Sequence, residues 1–181
     1  MLQDKTNNNL LSNKRNIHSQ NGEDGIIEAI FDRIGIKNRT CCEFGAWDGI
    51  HLSNCRKLIL DGWSAVMIEG DEEKFCNLFS NYANNEKVIC VNKYVDDAKN
   101  SLDTILREKK IPELDFLSID IDGLDYEIFD TLDCKPRVIC VEINAGHSPE
   151  FDSIIEKEIA KNNVGQSIIS FVNSAKKMGG V

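Results

Sequence analysis

No stretch of this chain approaches 18 consecutive apolar residues, so a membrane-spanning helix is not expected. Proline is scarce, 3 in 181 residues, which leaves helices and central strands uninterrupted. The 7 cysteines include no Cys-x-x-Cys pair and are odd in number, which argues against a structural zinc site and against a closed disulfide framework. Basic clusters are missing too: 21 Lys and Arg stand against 30 Asp and Glu, a net charge of −9. Nucleic acids and anionic membranes are bound by clustered cations that displace counterions, so neither is expected as a partner. A secretory leader is not expected either, because Met1 to Asn16 is polar and Asn-rich. Most cysteines lie inside apolar runs, as in Thr40-Cys41-Cys42-Glu43 and Val138-Ile139-Cys140-Val141, and read as small buried hydrophobes in a reducing, cytoplasmic setting. A small-molecule or carbohydrate partner fits this balance best.

What is present is enough for one globular core, with 41% hydrophobic residues. Residues 1–18, with Asn7-Asn8-Asn9, read as a flexible lead-in. The domain proper is expected over 19–181. Asn21-Gly22-Glu23-Asp24 supplies helix-capping chemistry, and Ile26, Ile27, Ile30, Phe31 and Ile34 recur at helical spacing until Gly35. Apolar, β-branched runs follow at Thr40 to Phe44, Ser64 to Ile68, Lys87 to Val91, Phe116 to Ile121 and Arg137 to Ile143. Helical patterns alternate with them, near 53–60, 72–82, 98–109, 126–132 and 167–177. Strand-helix alternation of this length predicts a doubly wound α/β fold with a mostly parallel sheet of at least five strands covered on both faces.

In such a sheet the ligand sits beyond the carboxyl ends of the strands. There the sequence places Glu43-Phe44-Gly45-Ala46-Trp47-Asp48-Gly49 after the first run and Ile68-Glu69-Gly70-Asp71 after the second. Glycines permit a tight turn and close backbone approach, and an acid after the second strand suits the two hydroxyls of a ribose. The loop is not Gly-x-Gly-x-x-Gly, and Trp47-Asp48 is a poor lining for a pyrophosphate. A cofactor with a cationic centre and no phosphate fits an acidic loop better than a dinucleotide does.

Glu43-Phe-Gly-Ala-Trp-Asp-Gly49 resembles the first motif of class I S-adenosylmethionine-dependent methyltransferases, with Glu69 at the place of their ribose-binding acid. Ser19-Gln-Asn-Gly-Glu-Asp24, Ser53-Asn54, Gly62-Trp-Ser64, Asp115-Phe-Leu-Ser-Ile-Asp-Ile-Asp-Gly123 and Pro136-Arg-Val-Ile-Cys-Val-Glu142 resemble, more closely, the FkbM-type branch. The resemblance spans about residues 19 to 145 and implies a Rossmann-like methyltransferase sheet. It also implies O-methylation of a sugar or related hydroxylated acceptor, often in polysaccharide biosynthesis. By the same resemblance Glu43, Gly45, Ala46, Asp48 and Gly49 would surround the methionine half of S-adenosylmethionine, and Ser53 and Asn54 would meet its carboxylate. Glu69 would hold the ribose, Asp71 the rim beside it, and Asp96 the adenine.

Methyl transfer to a hydroxyl needs the acceptor aligned and its proton removed. Asp122 and His147 are the catalytic candidates, His147 in a loop after the fifth run and better placed than His18, with His51 as its competitor. Asp120, Asp122 and Glu142, joined by Asn144, offer oxygen ligands for Mg²⁺; helix capping by Asp122 is the equal alternative. Two other readings compete: a non-catalytic cofactor-binding or scaffolding domain, and, lower, a phosphatase of the Asp-x-Asp-Gly type through Asp120 to Gly123, where Leu124 stands instead of the Thr that motif wants. The final helix runs into Lys177-Met178-Gly179-Gly180-Val181, which predicts a sheet without the last strands of the class I fold. A bare edge of that kind could pair with a second copy in a homo-oligomer.

Overall fold

The computed structural model describes residues 9–95, 101–111, 113–121, 123–143, 146, 166–177 and 179. Five strands form one sheet: β1 (Thr40–Phe44), β2 (Ser64–Glu69), β3 (Val88–Asn92), β4 (Phe116–Ile119) and β5 (Val138–Val141). Their order is β3-β2-β1-β4-β5, and every pairing is parallel. The chain therefore winds outward through β2 and β3, then crosses back over β1 to place β4 and β5 on the other side. This is the doubly wound, Rossmann-like sheet expected, and the switch point lies between β1 and β4. In register, Glu43 sits beside Met67 on β2 and Ser118 on β4, so the carboxyl end of β1 is flanked by both neighbours.

Helices cover both faces. On one side α1 (Glu23–Ile34), α2 (Arg56–Leu60) and α3 (Glu72–Tyr82) bury Ile27, Phe31, Leu58, Ile59 and Leu78 against Cys41, Ala65, Met67 and Phe116 of the sheet. On the other, α4 (Leu102–Glu108), α5 (Asp125–Asp130) and α6 (Ile168–Lys177) bring Leu102, Ile105, Ile128, Phe129 and Phe171 onto Phe44, Val66, Ile68 and Ile119. Alternate residues of each strand thus serve opposite cores, which is why the runs are apolar at successive positions rather than every second one. Among the described residues no helix is long and apolar enough to cross a membrane.

The strand and helix limits read from the pattern depart from the structure chiefly at the carboxyl ends. The runs extended to Ile121 and Ile143, whereas β4 stops at Ile119 and β5 at Val141. After β4, the Asp125 carboxylate accepts the N–H of Ile121 at 2.9 Å and of Gly123 at 3.0 Å, which turns the chain out of the ladder. The second helix was expected from Ser53 and begins at Arg56, because residues 53–55 are held by Glu43 instead. The described part of the lead-in is ordered against α1: Leu10–Asn13 form a 3₁₀ turn, Gly25 N–H donates to Arg15 O at 3.2 Å, and Arg15 pairs with Glu28.

Two buried carboxylates fasten the loops outside the sheet. Asp24 Oδ2 accepts the backbone N–H groups of Ile17, His18 and Ser19 at 2.7–2.8 Å, so it gathers the preceding loop, and Gly22 at φ 101° takes the cap position of α1. Asp115, fully buried at the start of β4, accepts the N–H of Lys37, Asn38 and Arg39 and the Arg137 guanidinium at 3.1 Å. Arg137 also donates to Ile34 O and Gly35 O, both at 2.8 Å, and so caps the end of α1.

Burial raises both carboxyls, but the donated hydrogen bonds outweigh it and hold both below the ordinary Asp range. The folded protein thus binds these protons less readily than the unfolded chain. Their contribution is whole above about pH 4 and is lost as the pH falls further. Below about pH 4 urea midpoints are expected to drop, with Asp24→Asn showing a shallower drop. A midpoint for the variant that tracks the wild type at every acid pH would refute the assignment to Asp24.

Candidate functional site

At the carboxyl edge of the sheet, over the switch point, lies a cleft of about 620 Å³. That is within the roughly 300–1,000 Å³ of small-molecule sites. The loop after β1 forms its floor. Gly45 has φ 73°, and Ala46 N–H donates to Ile68 O at 3.1 Å, which stitches the loop to β2. Gly49 N–H returns to Ala46 O at 2.7 Å, closing the turn, and Asp48 Oδ1 accepts the N–H of Ile50 and His51 at 2.8 Å each. Tyr82 of α3 donates its hydroxyl to Gly49 O from below.

Two buried glutamates flank that loop. Glu69, at the end of β2 and 7% exposed, accepts Trp47 N–H on Oε2 and Asp71 N–H on Oε1, each at 2.8 Å. Each oxygen keeps acceptor capacity, since a carboxylate offers about four lone-pair positions. Glu43, at the end of β1, accepts the Ser53 hydroxyl at 2.5 Å and the Asn54 N–H at 2.8 Å. Burial, reinforced by the neighbouring Asp120, raises the Glu43 carboxyl to about 7 in spite of those donors.

The rest of the wall comes from Asp120 after β4, Glu142 after β5, Asp71 at the head of α3, and Lys74, Lys93 and Tyr94. Tyr94 packs its ring so closely over Gly70 that a Cβ there would stand 2.3 Å from it. With Glu69, Asp71, Asp120 and Glu142 against two lysines, the lining is predominantly acidic and suits a cationic ligand.

Residues 91–163 match the family model of the methyltransferase FkbM domain. The FkbM likeness read from the sequence is thereby shown over that segment, from β3 past the end of β5, and it supports methyltransferase as the class of the chain. The glycine loop and Glu69 precede the matched segment. No curated protein matches the chain.

Of the residues that the FkbM resemblance assigns to the cofactor, Glu43, Gly45, Ala46, Ser53, Glu69 and Asp71 line the cleft. Asp48 and Gly49 shape the loop through the bonds given above. Asn54 turns its amide away, donating to Ser118 Oγ at 3.0 Å, while its N–H and the Ser53 hydroxyl are engaged by Glu43. Asp71 caps α3 by accepting Lys74 N–H at 2.9 Å. Asp96, Asp122, Asn144 and His147 lie outside the described residues.

For the metal reading, Asp120 and Glu142 both line the cleft, but among the described residues no group of three or more His, Cys, Asp or Glu converges to hold an ion. Asp122 and Asn144, the other donors of that reading, lie outside the described residues. His51 sits on the rim with its ring edge-on to Trp47. Sequence reasoning missed Lys74 and Tyr94 as cleft residues, which reach it from a helix and from beyond β3, and gave no role to Gln20 although it lies within Ser19-Gln-Asn-Gly-Glu-Asp24. It also missed Asp125, which orders the turn after β4.

The raised Glu43 carboxyl has a consequence for stability. Between its ordinary value of 4.5 and about 7 the folded state holds a proton that the unfolded chain has released. Stability therefore falls as the pH rises through that window, by at most about 3 kcal/mol, and is level above it. Glu43→Gln is expected to flatten this slope in urea titrations at pH 5 to 8. An unchanged slope would show that Glu43 is ionised throughout.

Proposed function

We propose that the cleft binds S-adenosylmethionine and that the chain, over 19–181, O-methylates a sugar or related hydroxylated acceptor in the cytoplasm. The observation that carries the reading is Glu69: a buried carboxylate at the end of β2, beside the switch point, fixed by two backbone N–H groups and with capacity left for two ribose hydroxyls. The acidic lining supports a cofactor with a sulfonium rather than a phosphate.

Bound S-adenosylmethionine supplies a methyl group on a positively charged sulfur. Glu69 would hold its ribose, and the acidic lining would face the sulfonium that makes the methyl carbon electrophilic toward an acceptor hydroxyl. The residues of the chain align the two partners and receive the hydroxyl proton. Asp122 and His147 remain the candidates for the proton, with His51 as the alternative on the described rim.

Calorimetric titration with S-adenosylmethionine, S-adenosylhomocysteine and NAD tests the reading. Both sulfur compounds are expected to bind and NAD to bind weakly or not at all. Preference for NAD, or no binding of either sulfur compound, would overturn it. EDTA treatment tests metal dependence separately.

A further inference from the structure

The rim of the cleft holds an unusual tryptophan. Trp47 has φ 48°, in the left-handed region where glycine or asparagine is at ease and a bulky side chain is strained. It is also 47% exposed, whereas Trp63 is buried at 3%. The strain is imposed from several directions: Trp47 N–H is held by Glu69, Asp48 caps the turn that follows, and Leu52, at φ 56°, is a second left-handed residue other than glycine in the same loop. Neither the core nor the turn uses the indole. A strained backbone that presents a large apolar side chain to solvent at the mouth of a cleft points to a ligand contact.

The surroundings narrow the ligand. The His51 ring stands 5.6 Å from the indole at 82°, and Lys74 Nζ lies 5.2 Å from its centre. All three residues line the cleft. An aromatic ring ringed by nitrogen donors offers an apolar face and hydrogen bonds side by side, which matches a sugar, with its C–H faces and equatorial hydroxyls.

We infer that Trp47 is the acceptor platform of the cleft, its indole stacking against the C–H face of a sugar ring while His51 and Lys74 meet the ring's hydroxyls. This rests on the methyltransferase reading and adds to it where the acceptor lies: above the loop that carries the cofactor, on the outer side of Trp47.

Trp47 emission reports directly on the claim, because Trp63 is shielded from the solvent. Saturating S-adenosylhomocysteine is expected to leave the acrylamide quenching of Trp47 unchanged. Methyl glycosides of glucose, galactose, mannose, rhamnose and glucuronate, titrated through the millimolar range, are expected to alter the emission in at least one case. Trp47→Asn accepts the left-handed backbone without strain and should fold at least as well as the wild type. It should lose at least about 90% of the binding of that glycoside, by calorimetry, while S-adenosylhomocysteine affinity stays within a factor of about two. Trp47→Phe should keep part of the glycoside binding. Protection of Trp47 by S-adenosylhomocysteine, or a large loss of its affinity in Trp47→Asn, would place the indole on the cofactor side and overturn the inference. So would the absence of any response to every glycoside. Failure of the wild type to bind S-adenosylhomocysteine at all would strike the underlying reading instead.

Discussion

Glu69→Ala is expected to weaken S-adenosylhomocysteine binding by at least about a hundredfold, since hydrogen bonds to a charged group contribute about 1.5–3 kcal/mol each and two ribose hydroxyls would lose their acceptor. The substitution acts in a second way as well. Trp47 N–H and Asp71 N–H, each 2.8 Å from the carboxylate, lose their partner, so the loop after β1 and the head of α3 are both released. Calorimetry on the variant measures the first effect, and a urea midpoint measures the second. Glu69→Gln separates them. Its amide keeps one oxygen as an acceptor, so the loop is held in part, but its NH₂ faces hydroxyls that must now accept. Because that NH₂ also displaces the acceptor of either Trp47 N–H or Asp71 N–H, Glu69→Gln should stand between the wild type and Glu69→Ala in stability and near Glu69→Ala in affinity. Affinity for S-adenosylhomocysteine unchanged in Glu69→Ala would remove the cofactor assignment altogether.

Much of this site was legible because its residues sit at strand ends. Glycine after β1 and an acid after β2 are local signals whose positions follow once the strands are placed, and consecutive apolar residues placed the strands. The roles of the buried acids were not legible in the same way. Asp24 looks like a helix cap in the sequence, yet its carboxylate collects Ile17, His18 and Ser19 from the loop before the helix. Asp125 looks like the first residue of a helix, and its carboxylate instead reaches back to Ile121 and Gly123. Glu43 lies in an ordinary strand and turns out to hold the stretch leading into α2, 10 and 11 residues on. In each case the decisive fact is which backbone N–H groups are left without partners when the elements pack, and that is settled by tertiary geometry rather than by spacing. Tyr94 and Lys74 escape for the same reason: Asp71 and Asp96 lie near them in the chain, but which neighbouring side chains turn into the cleft is settled by packing.

Gly45→Ala is expected to have the largest effect on the fold of any single methyl addition at the site. A Cβ on Gly45 would stand 1.7 Å from Asp120 O and 2.9 Å from Asp120 C, which are backbone atoms that cannot swing aside. The residue also has φ 73°, a conformation that costs an alanine about 1 kcal/mol or more by itself. Relief requires the end of β4 to move away from the end of β1, and that breaks the bond from Asp120 N–H to Phe44 O, already long at 3.4 Å. A total cost of about 3 kcal/mol or more follows from the clash and the strain together. Gly62→Ala isolates the strain. Gly62 has φ 89°, but a Cβ there meets nothing nearer than the flexible Lys87 Nζ at 3.8 Å, so a loss of about 1 kcal/mol is expected. Equal losses in the two variants, by urea unfolding, would show that the close approach of the strands does not matter. The contact lies at the switch point, where β1 and β4 must part far enough to admit a ligand yet stay in register below it. A folded fraction of Gly45→Ala should accordingly bind S-adenosylhomocysteine more weakly than the wild type, because Asp120 forms one wall of the cleft. The glycine then serves the site through the backbone opposite it, by letting two strand ends close to a distance that no side chain permits.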